Sequence, residues 1–225
     1  THRFRLDQIL DAYETFGSAA KTHALKVIIE ADEAGSARST LAADAADSGE
    51  AAARDPWSRD LTTRAGLVLH VRPVRTDDEP ALADFFAHVT AEDLRFRFLA
   101  GVREVSHDRL VAMTHVDHRR SENFLAFAED RKTVVAVATL ACDASLEKGE
   151  VAISVRAGYK NKGVAWELLR HVAQYAEARG VKTLESIEDR RNHEAIELER
   201  EQGFVAETYP DDATLMLIRK RLGSG

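Results

Sequence analysis

The stretch Glu150-Val151-Ala152-Ile153-Ser154-Val155-Arg156-Ala157-Gly158-Tyr159-Lys160-Asn161-Lys162-Gly163-Val164-Ala165-Trp166-Glu167-Leu168-Leu169 decides the reading of this chain. It begins as a strand, passes through a charged loop and opens a helix. Over Gly163–Arg179 the residues Ala165, Leu168, Leu169, Val172, Ala173 and Ala176 form one apolar stripe at helical spacing, and Gly180 closes it. A loop that turns straight into a helix leaves several backbone N–H groups unpaired, and with the helix dipole these attract an anion. Gly163 lets a ligand approach the backbone closely, and Lys160 and Lys162 add positive charge. A pyrophosphate is the natural guest; the plainer alternative is a charged loop that merely caps its helix. No Gly-x-x-x-x-Gly-Lys-[Ser/Thr] and no Gly-x-Gly-x-x-Gly occurs, which excludes the Walker and dinucleotide loops.

Outward from this stretch the pattern is regular. Upstream, Leu67–Val74 alternates as a strand, Glu79–Val89 and Ala91–Leu99 read as helices, and Arg109–Met113 belongs to a third short one. Asn123–Glu129, Thr133–Cys142 and Gly149–Arg156 are successive strands joined by polar turns, as in an antiparallel meander. Downstream, Val181–Ile187 is a strand, Asn192 caps a helix that runs to Gln202, and Phe204–Thr208 and Thr214–Ile218 are the last strands. The order is β-α-α-β-β-β-α-β-α-β-β, an α+β fold on a mixed sheet from Gly66 onward.

Residues 31–65 lose this period. Ala, Ser, Asp, Glu and Gly dominate Ala31–Ala53, which lacks the bulky side chains that offset ordering entropy, so 31–65 reads as a flexible linker. Residues 1–30 are periodic again: Thr1–Leu6 as a strand, Leu6, Ile9, Leu10, Tyr13 and Phe16 at helical spacing, and Ala24–Ile29 as a strand.

The 225 residues carry 31 Lys and Arg against 38 Asp and Glu, a net charge of −7. That balance argues against nucleic acid as a partner. One cysteine, Cys142, excludes an internal disulfide framework and a multi-Cys zinc site. No apolar run approaches the roughly 20 residues of a membrane span, and no leader opens the chain, so a cytoplasmic protein without membrane contact is expected.

Val155-x-x-x-Tyr159-Lys160-x-x-Gly163-x-Ala165 with Leu168-Leu169 resembles the first motif of the GNAT N-acetyltransferases, Val followed by Arg/Gln-x-x-Gly-x-Gly/Ala. Asn192-x-x-Ala195-Ile196-x-Leu198-x-x-x-x-Gly203-Phe204 resembles the second, and the resemblance runs from about Leu67 to Leu222. Val71-Arg72-Pro73-Val74, Leu94-Arg95-Phe96-Arg97-Phe98, Thr114-His115-Val116-Asp117 and Phe124-Leu125-Ala126-Phe127 are similar to the bacterial protein-acetyltransferase branch. The resemblance implies a GNAT fold over 66–222, in which the strands Glu150–Arg156 and Lys182–Ile187 splay apart around acetyl-CoA. It implies that the N–H groups of Lys160, Asn161, Lys162, Gly163, Val164 and Ala165 hold the pyrophosphate. Backbone groups near Ile153 and Val155 would pair with the pantetheine arm. Two departures stand out: Lys160 replaces the usual Arg or Gln, and Glu199 stands where many members carry a Tyr acid.

The reaction so implied moves an acetyl group from acetyl-CoA to a primary amine, of a protein lysine or a small molecule. An amine of pKa near about 10 is mostly protonated at neutral pH and needs a base. Glu150, which opens the strand beside the thioester, is the candidate; a solvated strand-end carboxylate is its plainer reading. Glu199 is a second candidate carboxylate or else an exposed charge in the run Glu197–Glu201. Asn192 reads as a helix cap and a CoA contact, and Tyr159 as a cofactor contact or a loop anchor. His115-x-x-His118 beside Asp117 lacks a third ligand at proper spacing, so no metal is expected. No motif names the acceptor beyond an amine, and the sequence is compatible with an oligomer. A CoA-binding regulatory module without catalysis is the alternative.

Thr1–Tyr13, Phe16-Gly17 and Ala24–Ile28 resemble the C-terminal tail of zinc-containing medium-chain alcohol dehydrogenases, without that family's zinc ligands or nucleotide unit. About thirty residues cannot build a core of their own. The segment is then either the end of a dehydrogenase–acetyltransferase fusion or a remnant docked on the acetyltransferase, and Thr1 in place of Met favours the first.

Overall fold

The computed structural model describes residues 2–5, 27–30, 55–99, 104–210 and 212–223. The chain divides into two compact units after Glu50. In the first, β1 (His2–Arg5) and β2 (Val27–Glu30) pair in parallel, His2 opposite Val27 and Arg5 opposite Glu30. These are the two strands expected in 1–30. The helix expected between them, and residues 31–54 of the expected linker, lie outside the described residues.

The second unit is an eight-stranded sheet. Its strands are β3 (Arg59–Thr62), β4 (Val68–Pro73), β5 (Ser121–Phe127), β6 (Val134–Cys142), β7 (Lys148–Val155), β8 (Thr183–Asp189), β9 (Val205–Thr208) and β10 (Leu215–Arg221). They lie in the order β3-β4-β5-β6-β7-β8-β10-β9, and every neighbouring pair is antiparallel except β7 and β8. The helices are α1 (Glu79–Ala87), α2 (Ala91–Phe98), α3 (His107–Thr114), α4 (Val164–Ala178) and α5 (His193–Glu201). The parallel pair arises because α4 carries the chain from the end of β7 back to the start of β8, a crossover that hairpins cannot make.

The expected linker is too long at its C-terminal end. Arg59–Thr62 pairs with Val68–Val71 as an edge strand, with Leu61 buried. Just before it, the Trp57 ring meets Tyr175 edge-on at 5.1 Å and His171 at 5.8 Å. The folded unit therefore begins ahead of Gly66. A truncation removing residues 1–50 should leave its thermal midpoint unchanged. A truncation through Thr62 should lower that midpoint by several degrees, because it strips Trp57 and Leu61 from apolar contact. Scanning calorimetry of the two truncations checks this.

Both faces of the sheet are covered. The stripe on α4, with Leu168, Leu169, Val172 and Ala176, packs with Phe124, Ala138, Leu184 and Ile218 on one face. Leu82, Phe85 and Phe86 of α1, Leu94 of α2 and Leu110 of α3 pack with Leu125, Val134 and Val137 on the other. Each buried Leu or Phe contributes roughly 1.5–3 kcal/mol, enough in sum to hold a sheet whose middle is interrupted.

The interruption is the split between β7 and β8. Their pairing covers Lys148 with Thr183, Gly149 with Leu184 and Glu150 with Glu185, and then stops. Beyond Glu150, β7 stays on β6 as far as Val155, and β8 stays on β10 as far as Asp189. The edge of β7 from Val151 to Val155 that faces β8 is thus left without a strand partner. The splay implied by the resemblance is a register fact.

Candidate active site

A cavity of about 230 Å³ fills the split. Its walls come from β7 (Ile153, Val155), β8 (Ile187, Glu188), the α4 start (Gly163, Val164, Ala165), α5 (Leu198, Glu199) and α2 (Phe96, Arg97). At the α4 end the loop is shaped for an anion. Asn161 and Gly163 are both left-handed, at φ 59° and 79°. The N–H groups of Asn161, Lys162, Gly163, Val164 and Ala165 have no hydrogen-bond partner among the described residues. Such a concave run of free N–H groups is an anion nest, reinforced by the α4 dipole. Gly163 is packed closely: a Cβ there would meet Thr63 Cβ at 3.4 Å and Arg64 N at 3.6 Å.

The lysines of the loop sit differently from their expected roles. Lys160 Nζ bonds Asp93 Oδ1 at 2.9 Å and lies 3.8 Å from Glu194 Oε2. Burial pulls its pKa down, but Asp93 and Glu194 outweigh that and hold it above the usual lysine value. It lines the cavity with its charge already engaged. Lys162 lies outside the cavity wall, its Nζ donating to Gly158 O at 2.7 Å and sitting 5.3 Å from the Tyr159 ring. Tyr159 thus anchors the loop as well as lining the cavity. A cation that sequence reading missed is Arg64, in the β3–β4 turn, whose guanidinium stacks on the Trp166 ring at 4.4 Å. Trp166 lines the cavity, and its carbonyl accepts from Gln202 Nε2 at 2.8 Å.

The carboxylates gather on the β8 side. Glu150 stands at the last paired position, exposed and on the cavity wall. Arg97 donates to Thr139 Oγ1 at 2.9 Å; burial lowers its pKa, while the charges of Glu150 and Glu188 oppose that. Glu188, unforeseen from sequence, is enclosed by protein on most sides yet open to the cavity. Burial, and next the charge of Glu199, push its pKa to about 8, against relief from Asn192 and Arg97. Glu199 is 5% exposed, which corrects its reading as a surface charge. Burial pushes its pKa to about 7, eased only by the Ser186 hydroxyl. Among the described residues, neither Glu199 Oε2 nor Ser186 Oγ has a hydrogen-bond partner within normal reach. Asn192 is corrected too. Its side chain makes no cap bond to α5 and donates instead to Glu188 Oε2 at 2.7 Å, on the cavity wall.

Features outside the cavity have structural partners. His115 Nδ1 is 3.0 Å from Val111 O, and His118 Nδ1 is 3.0 Å from Glu122 Oε2. Cys142 is half-buried, and burial raises its thiol pKa, which makes it a poor nucleophile.

A split sheet with free backbone N–H groups at the start of the helix that follows it is an architecture able to hold an anionic ligand through backbone groups. The chain belongs to the acetyltransferase (GNAT) family, whose sequence profile matches residues 87–204. It is 26% identical over 170 residues to an acetyltransferase of Pseudomonas aeruginosa, covering 75% of this chain and 90% of that protein. Its fold is similar to the GNAT domain of S. lividans PAT, with a TM-score of 0.70, 24% identity, and coverage of 77% of this chain and all of that one. It is also similar to a spermidine N-acetyltransferase from Vibrio cholerae solved with CoA and spermine, with a TM-score of 0.56, 16% identity, and coverage of 68% and 95%. No described helix is long and apolar enough to cross a membrane.

Proposed function

We propose that this protein transfers the acetyl group of acetyl-CoA to a primary amine, with Glu150 as the base that frees the amine. The observation that carries the reading is the coincidence of the β7–β8 split with the five free N–H groups of Asn161–Ala165. The residues present suit the donor. The nest matches a pyrophosphate in charge and shape. The unpaired edge of β7 offers Ile153 and Val155 to an extended amide-bearing arm, which can add to a sheet as a strand does. Acetyl-CoA supplies an activated acyl carbon. Glu150 takes a proton from the ammonium of the acceptor at the mouth, and backbone N–H groups of β7 polarise the acyl oxygen.

Release of free thiol from acetyl-CoA with a panel of amines, including small polyamines and lysine peptides, tests the reading. Turnover with at least one class is expected. Tight acetyl-CoA binding with no turnover on any amine would instead assign a CoA-binding regulatory module.

Because Lys160 is held by Asp93, Arg64 of the β3–β4 turn, whose backbone lies beside Gly163, is the planar cation nearest the nest that the structure points to. Arg64→Ala should raise the dissociation constant of acetyl-CoA roughly five- to tenfold at low salt, as loss of one exposed charge-assisted contact does. The difference should shrink at high salt. Quenching of Trp166 fluorescence on titration with acetyl-CoA reports both.

A further inference from the structure

The cavity contains two carboxylates to which the acyl transfer described above gives no task. Glu199 comes from α5 and is buried, with Oε2 unpartnered. Glu188 comes from β8, held by Asn192 Nδ2 at 2.7 Å. Both line the same cavity, and the charge of Glu199 acts on Glu188 there. A buried carboxylate without a partner is costly, and packing alone would be served better by an apolar residue or an amide. Two carboxylates that share a site of low polarity cannot both ionise near neutral pH, so such a pair retains one proton.

The other charges around the pair are few. The charge of Arg97 of α2 acts on Glu188, and Arg97 also feels Glu150 of β7. On β8 itself, Asp189 adds a negative charge but is engaged by Arg191, and Ser186 brings only a hydroxyl to Glu199. Met216 of β10, paired opposite Glu188, is apolar. Among the described residues no cation faces Glu199. The single positive charge of Arg97 suits a pair that carries one negative charge.

We propose, on the acetyl-transfer reading, that Glu188 and Glu199 form a proton-sharing pair that serves both departing and attacking atoms. The carboxylic acid of the pair gives its proton to the sulfur as the carbon–sulfur bond breaks with its electrons on sulfur. The carboxylate of the pair takes the proton that the nitrogen sheds as the carbon–nitrogen bond forms. The amide and the free thiol leave, and the pair holds one proton again. The first ammonium proton is a separate one, taken by Glu150 and passed to water.

The test begins without substrate. In the unliganded protein, ¹³C NMR of labelled glutamate, with signals assigned by the single Gln variants, should show the Glu199 and Glu188 carboxyls titrating far above the ordinary 4.5, toward about 7 and about 8. Glu199→Gln should move the Glu188 titration down, because a like charge is gone, and Glu188→Gln should do the same to Glu199. The sign for stability follows. A folded-state pKa above the unfolded one means stability is full below about 4.5 and is lost as pH climbs through about 8. Each variant should therefore flatten the fall of the thermal midpoint over that window. Glu188 and Glu199 carboxyls that both titrate near 4.5 would overturn the proposal whether or not the protein acetylates anything.

Kinetics complete it. A thiol of pKa near about 8.5 is a fair leaving group, so either variant should lose kcat at the low end of the ~10²–10⁴-fold range for acid–base catalysis. The loss should grow with pH, since the remaining carboxyl ionises earlier, and acetyl-CoA affinity should hold. An alkaline limb at the same pH as in the parent protein, or full kcat near pH 8 in both variants, would overturn the pair's role. Absence of thiol release in the parent with every amine would sink the acetyl-transfer reading, and this proposal with it. The carboxyl titrations would still stand as a fact of the unliganded fold.

Discussion

Gly163→Glu should abolish acetyl-CoA binding and leave the unliganded protein folded. Three effects combine at this position. Gly163 sits at φ 79°, where an L-residue costs roughly 1 kcal/mol. A Cβ would reach Thr63 Cβ at 3.4 Å, a contact that small shifts of the β3–β4 turn can absorb. Those two terms set a stability loss of about 1–2 kcal/mol, a midpoint drop of a few degrees in a unit of this size. The third effect falls on the ligand alone. The new carboxylate enters the nest formed by Asn161–Ala165 and takes the N–H groups that a pyrophosphate would use. With acetyl-CoA at about a hundred times its dissociation constant, the parent should gain near 2.7 kcal/mol, or roughly 5–10 °C. The variant should gain nothing. Gly163→Ala separates the causes, since it has the same backbone cost without the charge, and it should keep most of the shift. A full ligand-induced shift in Gly163→Glu would remove the nest from the donor site.

How much of this was legible in the sequence depends on where the physical signal lay. The loop and α4 were legible because their signals are local: a helical apolar stripe, a Gly at its start, charges between. Glu199 was legible in principle. It lies three residues after the buried Ile196 on α5, the spacing of a shared helix face, but the surrounding run of Glu and Arg disguised it. β3 was hidden for the opposite reason. Arg59-Asp60-Leu61-Thr62 is a short edge strand with one inward apolar side chain, and it follows a long stretch without period. Glu188 sits at the polar end of β8; alternation from Leu184 and Ser186 places it on the inward face, but a charged strand end reads as solvated, and only the loss of pairing after Glu150 opens a cavity beside it. The Lys160–Asp93 ion pair joins residues 67 positions apart, and no spacing rule foretells that. Asn192 carried a correct local signal for a cap, and a tertiary partner, Glu188, overrode it.

Glu150→Gln should lower kcat by ~10²–10⁴-fold, the usual worth of a positioned base, with acetyl-CoA affinity unchanged. The place of Glu150 explains both halves. It stands where β7 leaves β8, on the cavity wall yet exposed, so an incoming ammonium reaches it without desolvating first. The anion nest belongs to a different segment, Asn161–Ala165, and Gln keeps the shape of the strand end. Acceptor deprotonation alone should therefore suffer. The rate that remains should rise with pH as far as the alkaline limb that the intact Glu188–Glu199 pair sets, because hydroxide and bulk water deliver free amine as pH climbs toward the amine pKa of about 10. That rise is the opposite of the alkaline fall expected when the Glu188–Glu199 pair is broken, so the two carboxylate roles separate on one pH axis. Glu185→Gln is the matched control. Glu185 faces Glu150 across the last rung of the ladder, but lies 3.3 Å from Lys148 Nζ and 3.4 Å from Arg219 Nε, outside the cavity wall. It should cost little. Full activity in Glu150→Gln with a dead Glu199→Gln would move the base to α5. Full activity in both would leave amine deprotonation to water, with the cavity acting through binding and backbone polarisation alone.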